Sequence, residues 1–272
     1  MNIKEQIFKD KKTVDKALDR FLPKKSEEPK VLHRAMRYSV FSGGKRIRPL
    51  LVIESARACG ANIKDAVTVG CAVELIHTFS LIHDDLPSMD NDDYRRGKLT
   101  SHKAFGEANA ILAGDALLAL AFNIIAKNLS PKFAGAVIKE LSDAIGPAGV
   151  VGGQVIDIAF KGKRAGARSL DRINRLKTAR LFESCVKLGA ITAGAGTREI
   201  RAMAAFGSSI GMAFQIVDDI FDGDGYSKLF GEGRARRDSG ELVRKAKKAL
   251  NIFGDRAEKL KEIADYVLNR TK

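Results

Sequence analysis

The stretch ELIHTFSLIHDDLPSMDNDDYRRG occupies residues 74–97 and joins a strongly apolar helical pattern to a group of aspartates. The pattern predicts a buried helix that ends at Asp84. Asp84, Asp85 and Asp90 then lie at its C-terminal end, where the helix dipole repels negative charge. Carboxylates crowded together also raise one another's pKa unless a cation neutralises them. The arrangement therefore indicates a metal site.

A second acidic stretch, FQIVDDIFD at residues 214–222, again follows an apolar helical pattern. Asp218 and Asp222 are four residues apart and share one face of a helix, with Asp219 beside them. Either stretch alone would fit a solvated helix end equally well, but two of them behind apolar helices favour one shared cavity. Carboxylate oxygens are hard ligands, which favour Mg²⁺ over zinc.

The rest of the chain repeats the helical pattern and shows no convincing alternating strand. A first amphipathic helix carries Ile7, Val14, Leu18 and Phe21. No Gly/Ser-rich or Pro-rich linker divides the chain, so we predict an all-α fold, a large helical bundle in a single domain over residues 1–272. The other predicted helices cover residues 28–41, Pro49 to about Gly60, 63–84, 106–128, 131–145, 149–161, 169–194, 198–222, 240–252 and 255–270.

The chain is basic, with a formal net charge of +14, which suggests an anionic partner. Much of the charge lies in mixed runs such as residues 9–12 and 244–248, which are typical of solvated helix faces. No aromatic residues alternate with these runs. We therefore expect no nucleic-acid partner, and a membrane surface or a phosphorylated small molecule stays open as the anionic partner at this point.

Three cysteines, Cys59, Cys71 and Cys185, lie far apart in apolar helical contexts. Their spacing is not a metal pattern, and their odd number argues against a disulfide framework. The amino terminus is charged without a signal-peptide core, and no apolar run reaches the length of a membrane span. We therefore expect a soluble cytoplasmic protein without a membrane span.

Three basic groups would complete a diphosphate site. The turn GGKRIRP at residues 43–49 places cations at the start of a helix, where free backbone N–H groups favour a phosphate. Arg95 and Arg96 directly follow the first acidic stretch, and arginine binds phosphate oxygens through two nitrogens. Lys177 and Thr178 lie within a predicted helix. Together with the aspartates, these residues predict a diphosphate held by metal ions and by basic side chains.

These stretches resemble the trans-isoprenyl diphosphate synthase (polyprenyl synthetase) family, and the resemblance spans nearly the whole chain. Four residues separate the first Asp pair from Asp90, a spacing similar to that of bacterial and plastid farnesyl and geranylgeranyl diphosphate synthases. The matching stretches are GGKRIRP at 43–49, ELIHTFSLIHDDLPSMDNDDYRRG at 74–97, GDALL at 114–118, GGQVID at 152–157, KTARLF at 177–182 and FQIVDDIFD at 214–222.

The resemblance implies a helical fold around a deep apolar cavity, a homodimer and three Mg²⁺ ions in each active site. The implied reaction joins isopentenyl diphosphate head to tail to an allylic diphosphate, which is dimethylallyl, geranyl or farnesyl diphosphate. In that reaction the metal ions draw charge onto the departing diphosphate, and a water-poor cavity protects the allylic cation.

The family's functional residues carry over to matching positions. Asp84 and Asp90 would ligate two Mg²⁺ with Asp85 beside them, and Asp218 would ligate the third. Asp219 and Asp222 would support the third ion, mostly through water. The residues implied to hold the allylic diphosphate are Arg95, Lys177, Thr178 and Gln215, with Lys177 and Thr178 counted as catalytic. The residues implied to hold isopentenyl diphosphate are Lys45, Arg48, His77 and Arg96. Apart from the resemblance, His77 would read as a buried core histidine.

Two residues bear on product length. Phe79 lies five residues before Asp84 and Ser80 lies four before it. In the family, an aromatic residue at the fifth position forms a floor that favours the C15 product. We therefore expect farnesyl diphosphate first and geranylgeranyl diphosphate next. The alternative is that Phe79 is ordinary core packing.

The chain departs from the family pattern at two places. Asn174 occupies the position of a histidine, and the segment 223–238 lacks the family's Gly-Lys loop, with Glu232 about where the loop lysine would be. Roughly one helix and its loop are missing. The cations that could replace the lost charge are Lys228, Arg234, Arg236 and Arg237.

Other functions stay open on this sequence. The altered segment leaves a non-catalytic or regulatory subunit of a heteromeric prenyl synthase as the main alternative. A class I terpene cyclase lacks support, because no Asn/Ser/Glu metal motif replaces the second acidic stretch. A basic helical nucleic-acid binder would leave the acidic stretches unexplained.

Overall fold

The computed structural model describes residues 3–161 and 166–270, with side chains from residue 9 onward, so the side chain of Ile7 lies outside it. The all-α prediction is confirmed. The helices are α1 Ile3–Phe21, α2 Lys30–Val40, α3 Ile47–Ala58, α4 Ile63–Asp84, α5 Ser101–Phe105, α6 Glu107–Asn128, α7 Pro131–Ile145, α8 Val150–Phe160, α9 Ala167–Ile173, α10 Arg180–Thr192, α11 Thr197–Asp222, α12 Gly225–Phe230, α13 Glu232–Ala249 and α14 Glu258–Asn269.

The two helices that carry the acidic stretches match their predictions closely. α4 covers the predicted 63–84, and α11 begins one residue before the predicted 198 and ends at Asp222. Gly223 follows α11 with φ 67°, a left-handed conformation that glycine adopts without steric cost. Local signals therefore fixed the ends of both helices.

One hairpin contradicts the expectation that the chain has no strand. Strands β1 (Tyr94–Arg95) and β2 (Lys98–Leu99) pair antiparallel. Arg96 and Gly97 form the turn between them with φ 54° and 74°, as two-residue hairpin turns require. Strands of two residues are too short to produce an alternating pattern, and arginine is an unusual residue at the first position of such a turn.

The predicted helix 169–194 is interrupted. Residues Asn174–Ala179 form a π-helical segment between α9 and α10, so Lys177 and Thr178 do not lie in a regular α-helix. π-Helical turns insert one extra residue into a helix and are frequent at functional sites. Apolar periodicity does not reveal a single inserted residue.

The segment after Asp222 is more helical than we predicted. Instead of one helix over 240–252, the chain forms α12, α13 and then a 3₁₀ segment at Leu250–Ala257 before α14. Glycines within α13 cost about 1 kcal/mol each relative to alanine. The helix nevertheless forms because its apolar face packs against α11 and because Arg236 pairs with Glu232 one turn away.

The residues form two compact units, and the prediction of a single domain stays a prediction. Unit 1 contains Met1–Leu50 and Val67–Ala134. Within it, α2 packs against α5 and α6, and α5 packs against α6. Its core includes Leu18, Val40, Leu75 and Leu117, all fully buried.

Unit 2 contains Leu51–Ala66 and Gly135–Lys272. α11 is its central element, because it packs against α10, α13, α14, α12 and the π-helical segment. α8 packs against the π-helical segment and α9. The centre of this unit includes Phe182 and Phe206, whose side chains are fully buried.

Three helices contradict our reading that no apolar run reaches membrane-spanning length. By length and composition alone, α4, α6 and α11 could each cross a bilayer. Helices of a large helical core also become apolar around most of their circumference. In their most apolar windows 67% of α4 and 56% of α11 is buried within the fold, against 39% of α6. The expectation of no membrane span stays a prediction.

Candidate active site

The first acidic stretch forms a tight turn after α4. The backbone N–H of Asp90 donates to the carbonyl of Asp84 at 2.8 Å, which brings these two residues into one turn. Asn91 completes the turn with φ 57°, a conformation that asparagine tolerates better than most residues. Asp84 is half-buried and Asp90 is exposed. The turn can therefore present both carboxylates to a ligand.

Asp85 is buried and forms an ion pair. Both Nε and Nη2 of Arg95 approach its Oδ1, at 2.7 and 2.6 Å. Burial raises the pKa of Asp85, and the hydrogen bond and charge of Arg95 oppose that rise. Asp85, which we placed beside the metal ions, therefore holds Arg95, which we assigned to the allylic diphosphate.

The glycine turn and the hairpin meet in unit 1. Nη1 of Arg96 donates to the carbonyl of Gly43 at 2.7 Å. A Cβ atom on Gly44 would lie 2.6 Å from the same nitrogen, so a larger residue there would displace the guanidinium of Arg96. The structure therefore brings together two basic elements, Arg96 and the turn that contains Lys45, which the sequence suggested separately.

His77 contacts a cation. Its Nε2 lies 3.2 Å from Nη1 of Arg48. Burial lowers the pKa of His77 well below its ordinary value, and the positive charges of Arg48 and Arg96 lower it further. The imidazole is therefore neutral and accepts a hydrogen bond from Arg48. The structure groups three of the four residues assigned to isopentenyl diphosphate, with Lys45 in the adjoining turn.

Arg46 is a structural residue that the sequence did not reveal. Its guanidinium is buried and donates to Glu74 at 2.6 Å, to Asp15 at 2.9 Å and to the carbonyl of Val40 at 2.7 Å. Because Glu74 and Asp15 are 28 and 31 residues away, no local pattern could identify them. These hydrogen bonds of Arg46 hold the backbone of the glycine turn, of which Arg46 is a part, against the core of unit 1.

In unit 2, a chain of hydrogen bonds links the π-helical segment to α11. Oγ1 of Thr178 donates to Oε1 of Gln215 at 2.7 Å, and Nε2 of Gln215 donates to Oδ1 of Asp219 at 2.8 Å. The backbone N–H of Tyr226 donates to Oδ2 of Asp219 at 2.7 Å. Burial raises the pKa of Asp219. Both of its oxygens are occupied, so Asp219 orients Gln215 and Thr178.

Lys177 lies beside the GGQVID stretch. Its Nζ is 2.6 Å from Oδ2 of Asp157 on α8. A Cβ atom on Gly153 would lie 2.4 Å from the backbone nitrogen of Lys177, so the glycine allows α8 to approach the π-helical segment. Two residues of the GGQVID stretch, Gly153 and Asp157, therefore lie directly against Lys177. Asp157 is a site residue that our prediction missed.

Asp218 has an unexpected partner. Nη2 of Arg270, the residue after α14, lies 2.6 Å from its Oδ1. Asp222 is exposed one turn later on the same helix. No sequence pattern indicated that a residue 52 positions away reaches Asp218.

The two residues assigned to product length lie on α4. The ring of Phe79 meets the imidazole of His83 edge to face, with 4.8 Å between their centroids. Nε2 of His83 lies 3.1 Å from the carbonyl of Ile111 on α6. Ser80 donates to the carbonyl of His77 within the same helix. Phe79 is therefore held in place by a residue that contacts a second helix.

The departures from the family pattern have clear structural positions. Asn174 begins the π-helical segment, and its buried Nδ2 has no hydrogen-bond partner among the described residues. Arg234 lies 3.3 Å from Asp238, and Arg236 pairs with Glu232 at 2.6 Å. Two of the four cations that could replace the loop lysine are therefore paired along α13.

The donor set fits Mg²⁺. Within the described residues, no three His, Cys, Asp or Glu side chains are grouped closely enough to form a complete metal cage. Mg²⁺ does not need such a cage, because it binds through one or two carboxylates and completes its shell with water and phosphate oxygens. In unit 1 the turn of Asp84 and Asp90 offers two carboxylates, and in unit 2 Asp218 offers one, so each unit holds hard oxygen donors of the kind that Mg²⁺ prefers.

Comparison with known proteins identifies the relatives of this chain. Residues 29–238 match the polyprenyl synthetase family. A chloroplastic geranylgeranyl pyrophosphate synthase of Capsicum annuum is 42% identical over 99% of this chain and 79% of its own length. A farnesyl diphosphate synthase of Geobacillus stearothermophilus is 44% identical over 85% of this chain and 79% of its own.

Solved structures show the same fold. An FPP/GFPP synthase from Zymomonas mobilis, crystallised in the apo form, superposes with a TM-score of 0.93 at 39% identity. The match covers 98% of this chain and 99% of that one. A geranyltransferase from Legionella pneumophila also gives a TM-score of 0.93, at 33% identity, over 99% and 98% of the two chains.

The match to the Capsicum relative extends over 293 positions, although this chain has only 272 residues. That relative therefore carries residues within the matched span that this chain lacks. The predicted loss of a helix and its loop after Asp222 stays a prediction.

Proposed function

The chain belongs to the polyprenyl synthetase family, and we propose that it condenses an allylic diphosphate with isopentenyl diphosphate to give a short-chain product. It is a prenyltransferase, as the farnesyl and geranylgeranyl diphosphate synthases among its relatives are by name. No observation favours the alternative of a non-catalytic subunit.

The grouping of Arg48, His77 and Arg96 around the glycine turn carries the proposal. Two cations and a neutral imidazole converge there, in the same unit as the turn of Asp84 and Asp90. This reaction requires cations that bind the diphosphate of the substrate. It also requires carboxylates that bind the metal ions. Arg48 and Arg96 bind and orient the anionic end of isopentenyl diphosphate, and His77 accepts a hydrogen bond that keeps Arg48 in position.

The family uses Mg²⁺, and we propose three ions in each active site, held by Asp84 and Asp90 and by Asp218. When bound, these ions neutralise the charge that builds up on the departing diphosphate. Arg95, fixed by Asp85, and Lys177, fixed by Asp157, stabilise the same charge through hydrogen bonds.

The proposed reaction needs no reactant other than the allylic diphosphate and isopentenyl diphosphate. The allylic C–O bond breaks and its electron pair leaves with the diphosphate. The double bond of isopentenyl diphosphate then forms the new C–C bond, and a proton is lost, in our proposal to the released diphosphate. Thr178 and Gln215 orient the allylic substrate, because their hydrogen-bonded chain to Asp219 restricts both side chains.

We propose a C15 product in preference to C20, because the ring of Phe79 is held by His83, which itself contacts α6. A ring that limits product length must keep its position when the growing prenyl chain reaches it.

We also propose a homodimer that pairs through α6. Ile111 and Leu112 are 42% and 56% exposed. They lie on α6, which is as apolar as a buried core helix. Exposed apolar patches on a helix mark interaction surfaces, and twofold pairing of like surfaces is the commonest closed arrangement. A cytoplasmic location is a further proposal, supported by three cysteines that are all free.

The deciding experiment incubates the protein with labelled isopentenyl diphosphate, Mg²⁺ and each of the three allylic primers, and resolves the products by chain length. We expect a C15 product as the main band, and Asp84→Asn should abolish it. Failure to form product with any primer would contradict the proposal.

A further inference from the structure

We propose that Arg270 is a diphosphate-binding residue of this site and takes the place of the lysine that the segment after Asp222 lacks. The inference rests on the proposed function, because it assigns a new residue to the same diphosphate. Nothing in the sequence near Arg270 predicts this role.

The position of Arg270 is well defined. Its Nη2 donates to Oδ1 of Asp218 at 2.6 Å and to the carbonyl of Phe214 at 3.0 Å. Its guanidinium carbon lies 3.9 Å from the centroid of the Phe214 ring and 5.5 Å from that of Phe221. Only 8% of the side chain is exposed. The arginine is therefore stacked against α11 beside a carboxylate that we assign to a metal ion.

The guanidinium has unused donors. Its Nε is buried and has no hydrogen-bond partner among the described residues. Two acceptors share Nη2, whereas an arginine carries five N–H donors in a planar fork. A buried donor without a partner costs free energy unless a ligand supplies an acceptor. A diphosphate oxygen is an acceptor of the required charge, and arginine binds such oxygens through two nitrogens.

The cations of the altered segment are less suited to this role. Arg234 and Arg236 already pair with Asp238 and Glu232 along α13. Lys228 and Arg237 are exposed, so holding a ligand would cost the conformational entropy of a long, exposed side chain. Arg270 has lost that freedom already, because the stack on Phe214 fixes its plane.

The ion pair suggests how the residue operates. Before substrate binds, Arg270 offsets the charge of Asp218 in the partly buried environment. When Asp218 turns its carboxylate to a cation, the guanidinium keeps its stack on Phe214 and directs its donors to the diphosphate. Arg270, which follows α14, then supplies the positive charge that the family draws from a lysine in the loop after the second acidic stretch.

The test measures binding instead of turnover. Inorganic diphosphate with Mg²⁺ is titrated calorimetrically into the full chain and into Arg270→Gln, Arg270→Lys and, as a matched control, Arg236→Gln. We expect diphosphate to bind about 10- to 100-fold more weakly to Arg270→Gln, with partial recovery in Arg270→Lys and no change in Arg236→Gln. Undiminished binding to Arg270→Gln would overturn the proposal.

A second measurement separates a direct role from a structural one. Mn²⁺ binding without diphosphate, followed by electron paramagnetic resonance, should be unchanged or tighter in Arg270→Gln, because a competitor for Asp218 is removed. Loss of Mn²⁺ binding in that variant would mean that Arg270 only maintains the fold around Asp218, and the proposal would fail. Neither readout depends on product formation, so a parent chain that binds diphosphate without making product would contradict only the proposed function.

Discussion

Arg95 approaches a single oxygen of Asp85 with two nitrogens, Nε at 2.7 Å and Nη2 at 2.6 Å. The carboxylate is almost fully buried, whereas the arginine is about one-third exposed. The second aspartate of the first acidic stretch therefore positions a cation. Asp84 and Asp90, its neighbours along the chain, are the more accessible carboxylates.

Asp85→Asn should weaken the hold on Arg95. We expect kcat/KM for the allylic substrate to fall roughly 10- to 100-fold, with a stability loss of about 1–3 kcal/mol, because Arg95 loses the charged acceptor of its ion pair at a buried position. A double-mutant cycle with Arg95→Gln, followed by kinetics and denaturant unfolding, checks the coupling. Asp92→Asn is the control, since Asp92 is half-exposed and 3.5 Å from Arg95. Additive effects of the two substitutions would contradict a functional pair.

Thr178→Val should break the chain from Thr178 through Gln215 to Asp219. Valine has the same shape but leaves Oε1 of Gln215 without its donor, which costs about 1–3 kcal/mol in a partly buried site. We expect KM for the allylic diphosphate to rise about 10-fold or more. Thr178→Ser retains the hydroxyl and should stay near the parent. Equal kinetics for the valine and serine variants would show that the hydroxyl has no role.

His77 should make stability depend on pH. Burial lowers its pKa in the folded chain well below 6.5, and Arg48 and Arg96 lower it further, so the unfolded chain binds the proton more readily. Its contribution to stability is therefore complete above pH 6.5 and declines as the pH falls through that value. In His77→Gln, which cannot titrate, the slope of unfolding free energy just below that pH should decrease by up to about 1.4 kcal/mol per pH unit. Identical slopes would mean that His77 is not buried as a neutral group.

Gly189→Ala should strongly destabilise unit 2. A Cβ atom there would lie 1.9 Å from Oγ of Ser55 and 2.2 Å from the carbonyl of Val52, so α10 and α3 would have to move apart. We expect a loss of about 2–4 kcal/mol, as for overpacking against rigid backbone. The control is Gly135→Ala on α7, where nothing lies within 4 Å and alanine should add about 0.5–1 kcal/mol. Thermal or denaturant unfolding compares the two variants.

Phe79→Ala should lengthen the main product beyond C15, because the ring that His83 supports would no longer limit the prenyl chain. Phe79→Tyr keeps the ring and should give the parent distribution. Product analysis by chromatography checks both variants. An unchanged product in Phe79→Ala would leave Phe79 as core packing.

The sequence was sufficient where the signal is local. An apolar helix followed by aspartates and a proline gave the end of α4, and Asp222 followed by glycine gave the end of α11. It failed where one residue changes the geometry. The π-helical segment at Asn174–Ala179 and the Arg96–Gly97 turn each depend on a single backbone irregularity, which hydrophobic periodicity averages out.

The residue types and their spacing determined the all-α class, the two acidic stretches and the basic turn, because helix formation and ligand chemistry are properties of short segments. Only the tertiary structure decided which charges pair. Arg46 with Glu74, Lys177 with Asp157 and Arg270 with Asp218 are separated by 28, 20 and 52 residues. Such pairs form because packing brings their helices together and burial penalises a charge without a partner. Any of several cations in the sequence could have been the partner, and the fold selects one.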